Sequence, residues 1–309
     1  MSEFNRQSTT DDVLQGINLS GKSIVVTGAT SGLGEETARA LAAAGANICL
    51  VGRDQPKLHA LQSRLSAQYP TVRVTTAVAD LADQNSVRIG AASILAQHDA
   101  IDVLINNAGI MACPKTFTAQ GLEAQFGTNH IGHFLLTGLL LPALLKSTPS
   151  RIVCLSSAAH HMANIDLDDP CWEHREYDKW RAYGAAKTAN ALHALALNAR
   201  LAKHGVAAFS VHPGVIETNL MRHLGEQELE AVKGRMTRAY KTIAQGAATS
   251  VWAATAAELD QHGGAYLENC QVAGAPDEAG NGAQPWIQDI EAADRLWSLS
   301  EHIVGECFN

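Results

Sequence analysis

The chain contains 309 residues, of which 46% are hydrophobic, so it is long enough to bury a substantial core in one large domain. Its net charge of −8, from 31 acidic and 23 basic residues, provides no basic surface for a polyanion, and we expect no nucleic-acid partner. Six cysteines are scattered without a C-x-x-C pair, which is typical of reduced thiols and indicates a cytoplasmic protein without a disulfide framework.

The N-terminal segment is polar and mixed in charge, and it lacks the apolar core of a signal peptide or membrane anchor. We interpret residues 1–20 as an N-terminal extension and 21–309 as a single domain, and we expect no membrane anchor. The most apolar segment, Ile131 to Leu145, is interrupted by His133 and Pro142 and falls short of the roughly 18 residues that a spanning helix needs. It predicts a buried helix.

Apolar, β-rich runs alternate with segments of helical periodicity along most of the chain. The predicted strands are 23–27, 47–51, 73–78, 103–106, 152–156, 207–212 and 265–267. The predicted helices are 35–44, 55–68, 85–97, 119–146 and 181–204. Near-continuous apolar strands separated by helices indicate a parallel sheet covered on both faces. The sequence therefore predicts an α/β fold with one doubly wound, Rossmann-type sheet of about seven strands.

Two regions interrupt this alternation and are expected to shape a substrate entrance: an irregular insertion at residues 160–179 and a loop at residues 273–284. The domain also includes a substrate-loop region at about 213–240, and the C-terminal loop plus the last helix span about 273–305. The long helices at 119–146 and 181–204 are rich in small residues and suit a shared bundle in a homodimer or homotetramer.

A glycine-rich turn follows the first predicted strand directly. The segment T-G-A-T-S-G-L-G at 27–34 contains glycines that permit a tight turn, and the helix after it offers unpaired N–H groups and a positive dipole end. Its G-x-x-x-G-x-G spacing differs from the common G-x-G-x-x-G, and a tight turn without a ligand is the alternative. We expect an anion at the turn, held by Gly28, Thr30, Ser31, Gly32, Leu33 and Gly34.

Several motifs together resemble the short-chain dehydrogenase/reductase family. They are T-G-x-x-x-G-x-G at 27–34, N-N-A-G at 106–109, Y-x-x-x-K at 183–187, and Pro213-Gly214 with Thr218. The likeness spans about residues 22–267. Within the family, the chain is most similar to the retinol dehydrogenase-like branch, through N-H-I-G-H-F at 129–134, Ser156-Ser157 followed by Ala159-His160, and S-V-H-P-G at 210–214.

The end of the second strand indicates which nicotinamide cofactor binds. Enzymes of this fold that prefer NAD place an acidic residue there, roughly 20 residues past the glycines. Here that position is Gly52, and the next residue, Arg53, can pair with a 2′-phosphate. We therefore predict NADP(H) over NAD(H), although Asp54 would occupy the position if the strand end shifted by one residue. The other interpretation of Arg53 is a solvated loop residue.

The resemblance implies further cofactor contacts. It implies that Asp80 and Leu81 border the adenine, and that Asn107, Ala108 and Gly109 line the ribose and nicotinamide side. It also implies cofactor contacts from Tyr183, Lys187, Pro213, Gly214, Val215, Ile216 and Thr218.

The predicted catalytic residues are Asn129, Ser157, Tyr183 and Lys187. Tyr183 and Lys187 share one face of a predicted helix, so the lysine ammonium is expected to lower the pKa of the phenol and make it a general acid/base. Ser157 would stabilise the substrate oxygen, with Ser156 as the rival that the family pattern disfavours. The resemblance implies that Lys187 also binds the nicotinamide ribose and that Asn129 holds a water connecting the lysine to solvent.

The expected activity is hydride transfer between the cofactor and a small hydrophobic aldehyde, ketone or secondary alcohol. The walls of its pocket would include residues 160–162, 213–220 and 221–240, where Met162, Leu220 and Met221 are apolar. Two alternatives are a non-redox epimerase or lyase of the same fold and a catalytically silent regulator that binds NADP(H). Five histidines could suggest a metal site: His130, His133, His160, His161 and His212. They have no carboxylate or thiol partners at ligand spacing, so we expect no metal site.

Overall fold

The computed structural model describes residues 2–216, 220–221, 224–225, 227–228, 230 and 240–308. These residues contain an eight-stranded sheet with the order β3-β2-β1-β4-β5-β6-β7-β8. The strands are β1 (Ser23–Thr27), β2 (Asn47–Gly52), β3 (Val74–Val78), β4 (Val103–Asn106), β5 (Ser150–Leu155), β6 (Val206–His212), β7 (Tyr266–Glu268) and β8 (Gln271–Val272). Strands β1 to β7 pair in parallel and β8 pairs antiparallel to β7. The predicted doubly wound sheet is confirmed, with one more strand than the apolar runs indicate because β8 is too short to form one.

Helices cover both faces of the sheet, as predicted. The helices are α1 (Thr10–Leu14), α2 (Gly32–Ala43), α3 (Gln55–Gln68), α4 (Gln84–Leu95), α5 (Ala124–Lys146, with a π-helical turn at Gly127–Ile131), α6 (Lys179–Leu201), α7 (Ile243–Thr255) and α8 (Ile290–Val304). One hydrophobic cluster joins α4, α5, α6 and α8 to one face of the sheet. A second joins α1, α2, α3 and α7 to the other face. Each side of the sheet is therefore buried.

Two long helices begin at different residues from those predicted, because polar side chains cap them. Gly121 has a φ of +79°, and the Glu123 carboxylate accepts hydrogen bonds from the first backbone N–H groups of α5, so this helix starts after residue 119. Asp178 accepts from the N–H groups of Trp180 and Arg181, so α6 starts before residue 181. It ends at Leu201, where a 3₁₀ turn follows.

The periodicity does not predict α1 and α7, although both carry a capping box at their first turn. Thr9 and Asp12 exchange hydrogen bonds at the start of α1, and Thr242 and Gln245 do so at the start of α7. Val13 of α1 is buried in the same hydrophobic cluster as α2 and α7. The N-terminal segment therefore contributes side chains to the core of the domain.

The last helix, α8, covers part of α5 and α6. The small residues of those two helices predict a bundle shared with a partner subunit. Trp297 packs edge-on against Phe134 with ring centroids 5.0 Å apart, and Ser300 hydrogen-bonds His130 at 2.8 Å. The Phe308 ring fills the space over Gly138, where a Cβ would lie 2.4 Å from the ring. The chain thus covers this part of α5 and α6 with its own C-terminal segment, and self-association through these helices stays a prediction.

Helix α5 is long and apolar enough to cross a membrane by length and composition alone. In the structure, 83% of its most apolar window is buried inside the protein. This agrees with the buried helix predicted for Ile131 to Leu145.

Candidate active site

A cleft of about 410 Å³ opens at the carboxyl ends of β1 and β4, where the strand order reverses direction. This is the position at which doubly wound sheets bind their ligands. Its lining includes the predicted residues Gly28, Thr30, Ser31, Gly32, Leu33, Gly34, Arg53, Asp80, Leu81, Asn107, Ala108, Gly109, Tyr183, Lys187 and Pro213. The structure therefore brings most of the predicted cofactor residues to one surface.

The glycine turn approaches the end of β4 so closely that side chains do not fit between them. A Cβ on Gly28 would lie 2.8 Å from the Ala108 Cα, and Gly28 also has a φ of +64°. A Cβ on Gly34 would lie 2.3 Å from the Gly28 carbonyl oxygen. The N-cap of α2, Ser31, makes no side-chain capping bond, so the N–H groups of the first turn are available to an anion. This cradle fits a dinucleotide pyrophosphate.

An arginine and an aspartate follow the end of β2, and they have different roles. The arginine faces the cleft, whereas the aspartate caps the next helix. Strand β2 ends at Gly52, and Arg53 and Asp54 follow on the cleft wall. Asp54 caps α3 by accepting a hydrogen bond of 3.1 Å from the Lys57 N–H, and its other oxygen is 3.2 Å from Lys57 Nζ. The carboxylate is thus engaged by its own helix, whereas Arg53 is exposed at the rim.

Tyr183 and Lys187 lie at the inner end of the cleft, where Ser156 is also a lining residue, whereas Ser157 lies beside Tyr183 and is not among the lining residues. Tyr183 is 5% exposed and Lys187 is 4% exposed, and the lysine Nζ lies 5.7 Å from the centroid of the phenol ring. The Ser157 side chain is near enough to Tyr183 to lower the pKa of the phenol, and its hydroxyl accepts a hydrogen bond of 3.1 Å from the Ala159 N–H. Ser156 instead donates a hydrogen bond of 2.7 Å to the Lys187 backbone carbonyl. The two serines therefore have different positions, and Ser157 is the one beside the phenol.

Burial controls the protonation of both groups. It raises the pKa of Tyr183 to about 12, with the Ser157 hydrogen bond acting in the opposite direction. It lowers the pKa of Lys187 to about 8. The expected lowering of the phenol pKa by the ammonium is therefore wrong for the cleft without cofactor. The lysine Nζ donates to the Leu155 carbonyl at 2.8 Å, and desolvation by burial is the largest influence on the pKa of the phenol. At neutral pH, Tyr183 carries its proton.

Asn129 lies behind the cleft wall and does not line it. Its side chain forms two hydrogen bonds with one residue, accepting from the Ile110 N–H at 2.8 Å and donating to the Ile110 carbonyl at 2.9 Å. It belongs to the π-helical turn of α5, a feature frequently found at functional sites. A Cβ on Gly109 would lie 3.2 Å from Asn129 Oδ1 and 3.7 Å from Lys187 Nζ. Asn129 is therefore close to the lysine.

The loop after β6 reaches the cleft with only part of its predicted contacts. Pro213 lines the cleft, but Gly214, Val215 and Ile216 are not among its lining residues. Gly214 packs against the Lys241 side chain, and Ile216 packs against Gly246. Thr218 lies outside the described residues.

An apolar surface surrounds the Tyr183 ring. Buried Met111, Ala112 and Ala159 form a cluster with it. Four partly buried side chains pack against this cluster: Trp180, Leu220, Met221 and Leu224. Met162, a predicted pocket residue, is 53% exposed. The substrate walls predicted at 220 and 221 are thus beside the phenol, while most of 222–239 lies outside the described residues.

Several residues near the site were not predicted as functional. Among them, Thr27 has a hydroxyl that accepts hydrogen bonds from the N–H groups of Asn107 at 2.9 Å and Ala108 at 3.0 Å, and so joins β1 to the N-N-A-G segment. Asn190 donates to the same Leu155 carbonyl as Lys187, at 2.9 Å. Their signals were present in the sequence, since Thr27 begins the glycine motif and Asn190 follows Lys187 at helical spacing.

We expect Lys187→Met to stabilise the fold while removing the ammonium. The folded-state pKa of about 8 lies below the ordinary 10.5, so burial of the charge costs stability below pH 8, and this cost vanishes as the pH rises toward 10.5. The Leu155 carbonyl keeps its hydrogen bond from Asn190, so the substitution leaves no unpaired acceptor. Denaturant unfolding at pH 7 should show a gain on the order of 2 kcal/mol, smaller at pH 10.

The control for this stability measurement is Lys203→Met, which changes an exposed lysine in the 3₁₀ turn that follows α6. It should leave the free energy of unfolding nearly unchanged at both pH values. A loss of stability in Lys187→Met at pH 7 would show that the buried ammonium is favourable in the folded state.

A dinucleotide cradle and an adjoining Ser-Tyr-Lys group on a doubly wound sheet define a class of nicotinamide-dependent enzymes, and the comparisons identify the family. The model of the short chain dehydrogenase family matches residues 22–229, and the chain belongs to this family. It is 40% identical to human retinol dehydrogenase 13 over 293 residues, which cover 92% of this chain and 85% of that protein. The chain is thus retinol dehydrogenase-like within the family.

Solved structures agree with this assignment. The fold matches the crystal structure of an uncharacterised protein from Mycobacterium paratuberculosis with a TM-score of 0.76 and 34% identity, over 98% of this chain and 99% of that one. It also matches the RhlG/NADP active-site complex of Pseudomonas aeruginosa with a TM-score of 0.66 and 25% identity, over 81% of this chain and 95% of that one.

Proposed function

We propose that the protein is an NADP(H)-dependent oxidoreductase that interconverts a hydrophobic carbonyl compound and its alcohol. One observation carries this proposal: Tyr183, with Ser157 beside it, adjoins Lys187 at the end of a cleft whose other walls are a phosphate cradle and a basic strand end. Bound NADPH would supply the hydride. The residues of this chain would hold the substrate oxygen and exchange its proton.

The protonation state of Tyr183 suits carbonyl reduction. Because burial keeps the phenol protonated at neutral pH, its hydroxyl can donate a proton to a carbonyl oxygen. Ser157 would donate a hydrogen bond to the same oxygen and stabilise the charge that develops there. Lys187 carries a positive charge beside the phenol ring, and this charge favours the phenolate that remains after proton donation. In the oxidative direction the same groups act in reverse.

The substrate class follows from the surface around the phenol. The side chains of Met111, Trp180, Leu220 and Met221 are apolar and adjoin Tyr183. Such a surface favours aldehydes, ketones or secondary alcohols with hydrophobic substituents. Hydride transfer to these compounds distinguishes the proposal from an epimerase or lyase, which shows no net NADPH consumption, and from a silent regulator, which binds NADPH without turnover.

The cofactor preference is assigned to Arg53. Its guanidinium stands at the cleft rim beyond Gly52, and the neighbouring carboxylate caps α3. A 2′-phosphate there would form a charge-assisted pair with Arg53, whereas the ribose hydroxyls of NADH would gain no acidic partner. The structurally similar RhlG of Pseudomonas aeruginosa was solved as a complex with NADP, which supports the same preference here.

Absorbance at 340 nm, measured with a panel of apolar aldehydes and ketones, should show oxidation of NADPH faster than of NADH. In Arg53→Ala, the KM for NADPH should rise about 10-fold or more, because a charge-assisted hydrogen bond is worth about 1.5–3 kcal/mol. The KM for NADH should change little. An unchanged NADPH KM in the variant would remove the assignment to Arg53, and a faster reaction with NADH in the wild type would overturn the cofactor preference.

Arg64→Ala is the matched control. Arg64 is an arginine of α3 that forms an ion pair with Glu35, and it is not a lining residue of the cleft. Removing it changes the net charge of the protein by the same amount as Arg53→Ala. A similar loss of NADPH affinity in both variants would indicate long-range attraction and not a specific phosphate contact.

A further inference from the structure

The π-helical turn of α5 presents one backbone carbonyl to a buried histidine. His133 is 2% exposed, and its Nδ1 lies 2.9 Å from the carbonyl oxygen of Asn129. The Asn129 side chain meanwhile holds the N–H and the carbonyl of Ile110. Asn129 therefore connects two parts of the site. Its side-chain amide binds the loop after β4, and its backbone carbonyl binds the His133 imidazole.

The other ring nitrogen of His133 reaches the first strand. Its Nε2 lies 2.9 Å from the Thr27 hydroxyl oxygen. This oxygen also accepts hydrogen bonds from the N–H groups of Asn107 and Ala108. A backbone carbonyl can only accept, so Nδ1 carries the ring proton and Nε2 accepts the proton of the Thr27 hydroxyl. Every hydrogen-bonding position of the ring and of the threonine hydroxyl is thereby used. Burial lowers the pKa of His133 to about 4, which keeps the ring in this neutral form.

We propose that His133 is a positioning residue that aligns the cofactor cradle with the catalytic end of the cleft, an inference that rests on the proposed function. Through Thr27 it holds the base of the glycine turn and the Asn107–Ala108 segment, and through Asn129 it holds the wall beside Lys187. The cradle tolerates little displacement of the glycine turn relative to the end of β4, because a Cβ on Gly28 would already lie 2.8 Å from the Ala108 Cα. Loss of the imidazole should therefore weaken cofactor binding before it affects the fold globally.

His130 provides a matched comparison on the same helix. It is 1% exposed and neutral, and its Nε2 hydrogen-bonds Ser300 of α8 at 2.8 Å, away from the cleft. The substitutions His133→Phe and His130→Phe therefore remove the same ring at equal burial. Both should lower the melting temperature, and only His133→Phe should raise the Kd for NADPH.

The test measures NADPH binding by fluorescence and the kinetic constants at a temperature at which all variants are folded. We expect His133→Phe to raise the NADPH Kd by about 10-fold or more, because the two buried hydrogen bonds that connect the ring to Thr27 and Asn129 are lost. His133→Gln ends in one donor and one acceptor at similar spacing, so its Kd should remain within about 3-fold of the wild type. Equal losses in His133→Phe and His130→Phe, or wild-type binding in His133→Phe, would overturn the proposal.

Amide hydrogen exchange provides a readout that does not depend on the cofactor. The N–H groups of Asn107 and Ala108 should exchange faster in His133→Phe and be restored in His133→Gln, whereas His130→Phe should leave them protected. If the wild type failed to bind NADPH, the proposed function would fall while these exchange rates still decided the role of His133. Unchanged protection in His133→Phe would contradict the positioning role.

Discussion

Tyr183→Phe should abolish turnover and leave NADPH binding intact. The substitution removes only the hydroxyl of Tyr183 and keeps the ring that packs with Met111 and Ala112. Loss of a positioned general acid costs about 10²–10⁴ in rate, and we expect kcat to fall by about 10³-fold. The NADPH Kd should stay within about 2-fold, since at most about 0.5 kcal/mol of binding energy is involved. Stopped-flow absorbance and fluorescence titration measure the two quantities separately.

Tyr266→Phe is the matched control for this experiment. Tyr266 is 5% exposed, as Tyr183 is, and its hydroxyl has no hydrogen-bond partner among the described residues. Removing this hydroxyl should leave kcat nearly unchanged and stabilise the fold slightly, because a buried unpaired donor is lost. If Tyr183→Phe retained more than about a tenth of the wild-type rate, another group would have to donate the proton.

The architecture was predictable because parallel strands buried on both faces appear as continuous apolar runs. Strands such as β2 and β6 differ from their predicted bounds by one residue. The errors fall where single polar contacts decide a boundary. Glu123 delays the start of α5, and Asp178 advances the start of α6. Such caps act through one or two hydrogen bonds, which periodicity over a long window does not detect.

The site was predictable to the extent that its residues lie in contiguous motifs. The glycine turn, the N-N-A-G segment and the Tyr183–Lys187 pair reach one cleft because the carboxyl ends of β1, β4 and β5 share an edge of the sheet. The pKa of Tyr183 was not predictable, since it depends on desolvation by segments distant in sequence. The same limit applies to His133 of α5, whose partner Thr27 lies on β1, distant in sequence.

Mild acid should destabilise the protein strongly. Burial lowers the pKa of His130 to about 3 and those of His133 and His160 to about 4, and it lowers the pKa of His193 well below its ordinary value. Below pH 6.5 the unfolded chain binds protons at these sites and the folded chain does not, so stability falls as pH falls. Each site contributes up to about 1.4 kcal/mol per pH unit, and together they should cost on the order of 5 kcal/mol between pH 7 and 5.5. That is a large fraction of a typical stability, and urea unfolding across this range measures it.

His193→Leu should make the stability less dependent on pH. The His193 ring packs near Phe134 and Trp297, and its Nε2 is buried without a hydrogen-bond partner in the described part of the chain. Leucine removes this unpaired atom, so stability at pH 7 should not fall, and the slope below pH 6 should decrease by about 1.4 kcal/mol per pH unit. His59→Leu, at an exposed position of α3, should leave the slope unchanged. An equal slope in wild type and His193→Leu would mean that acid unfolding does not pass through this buried imidazole.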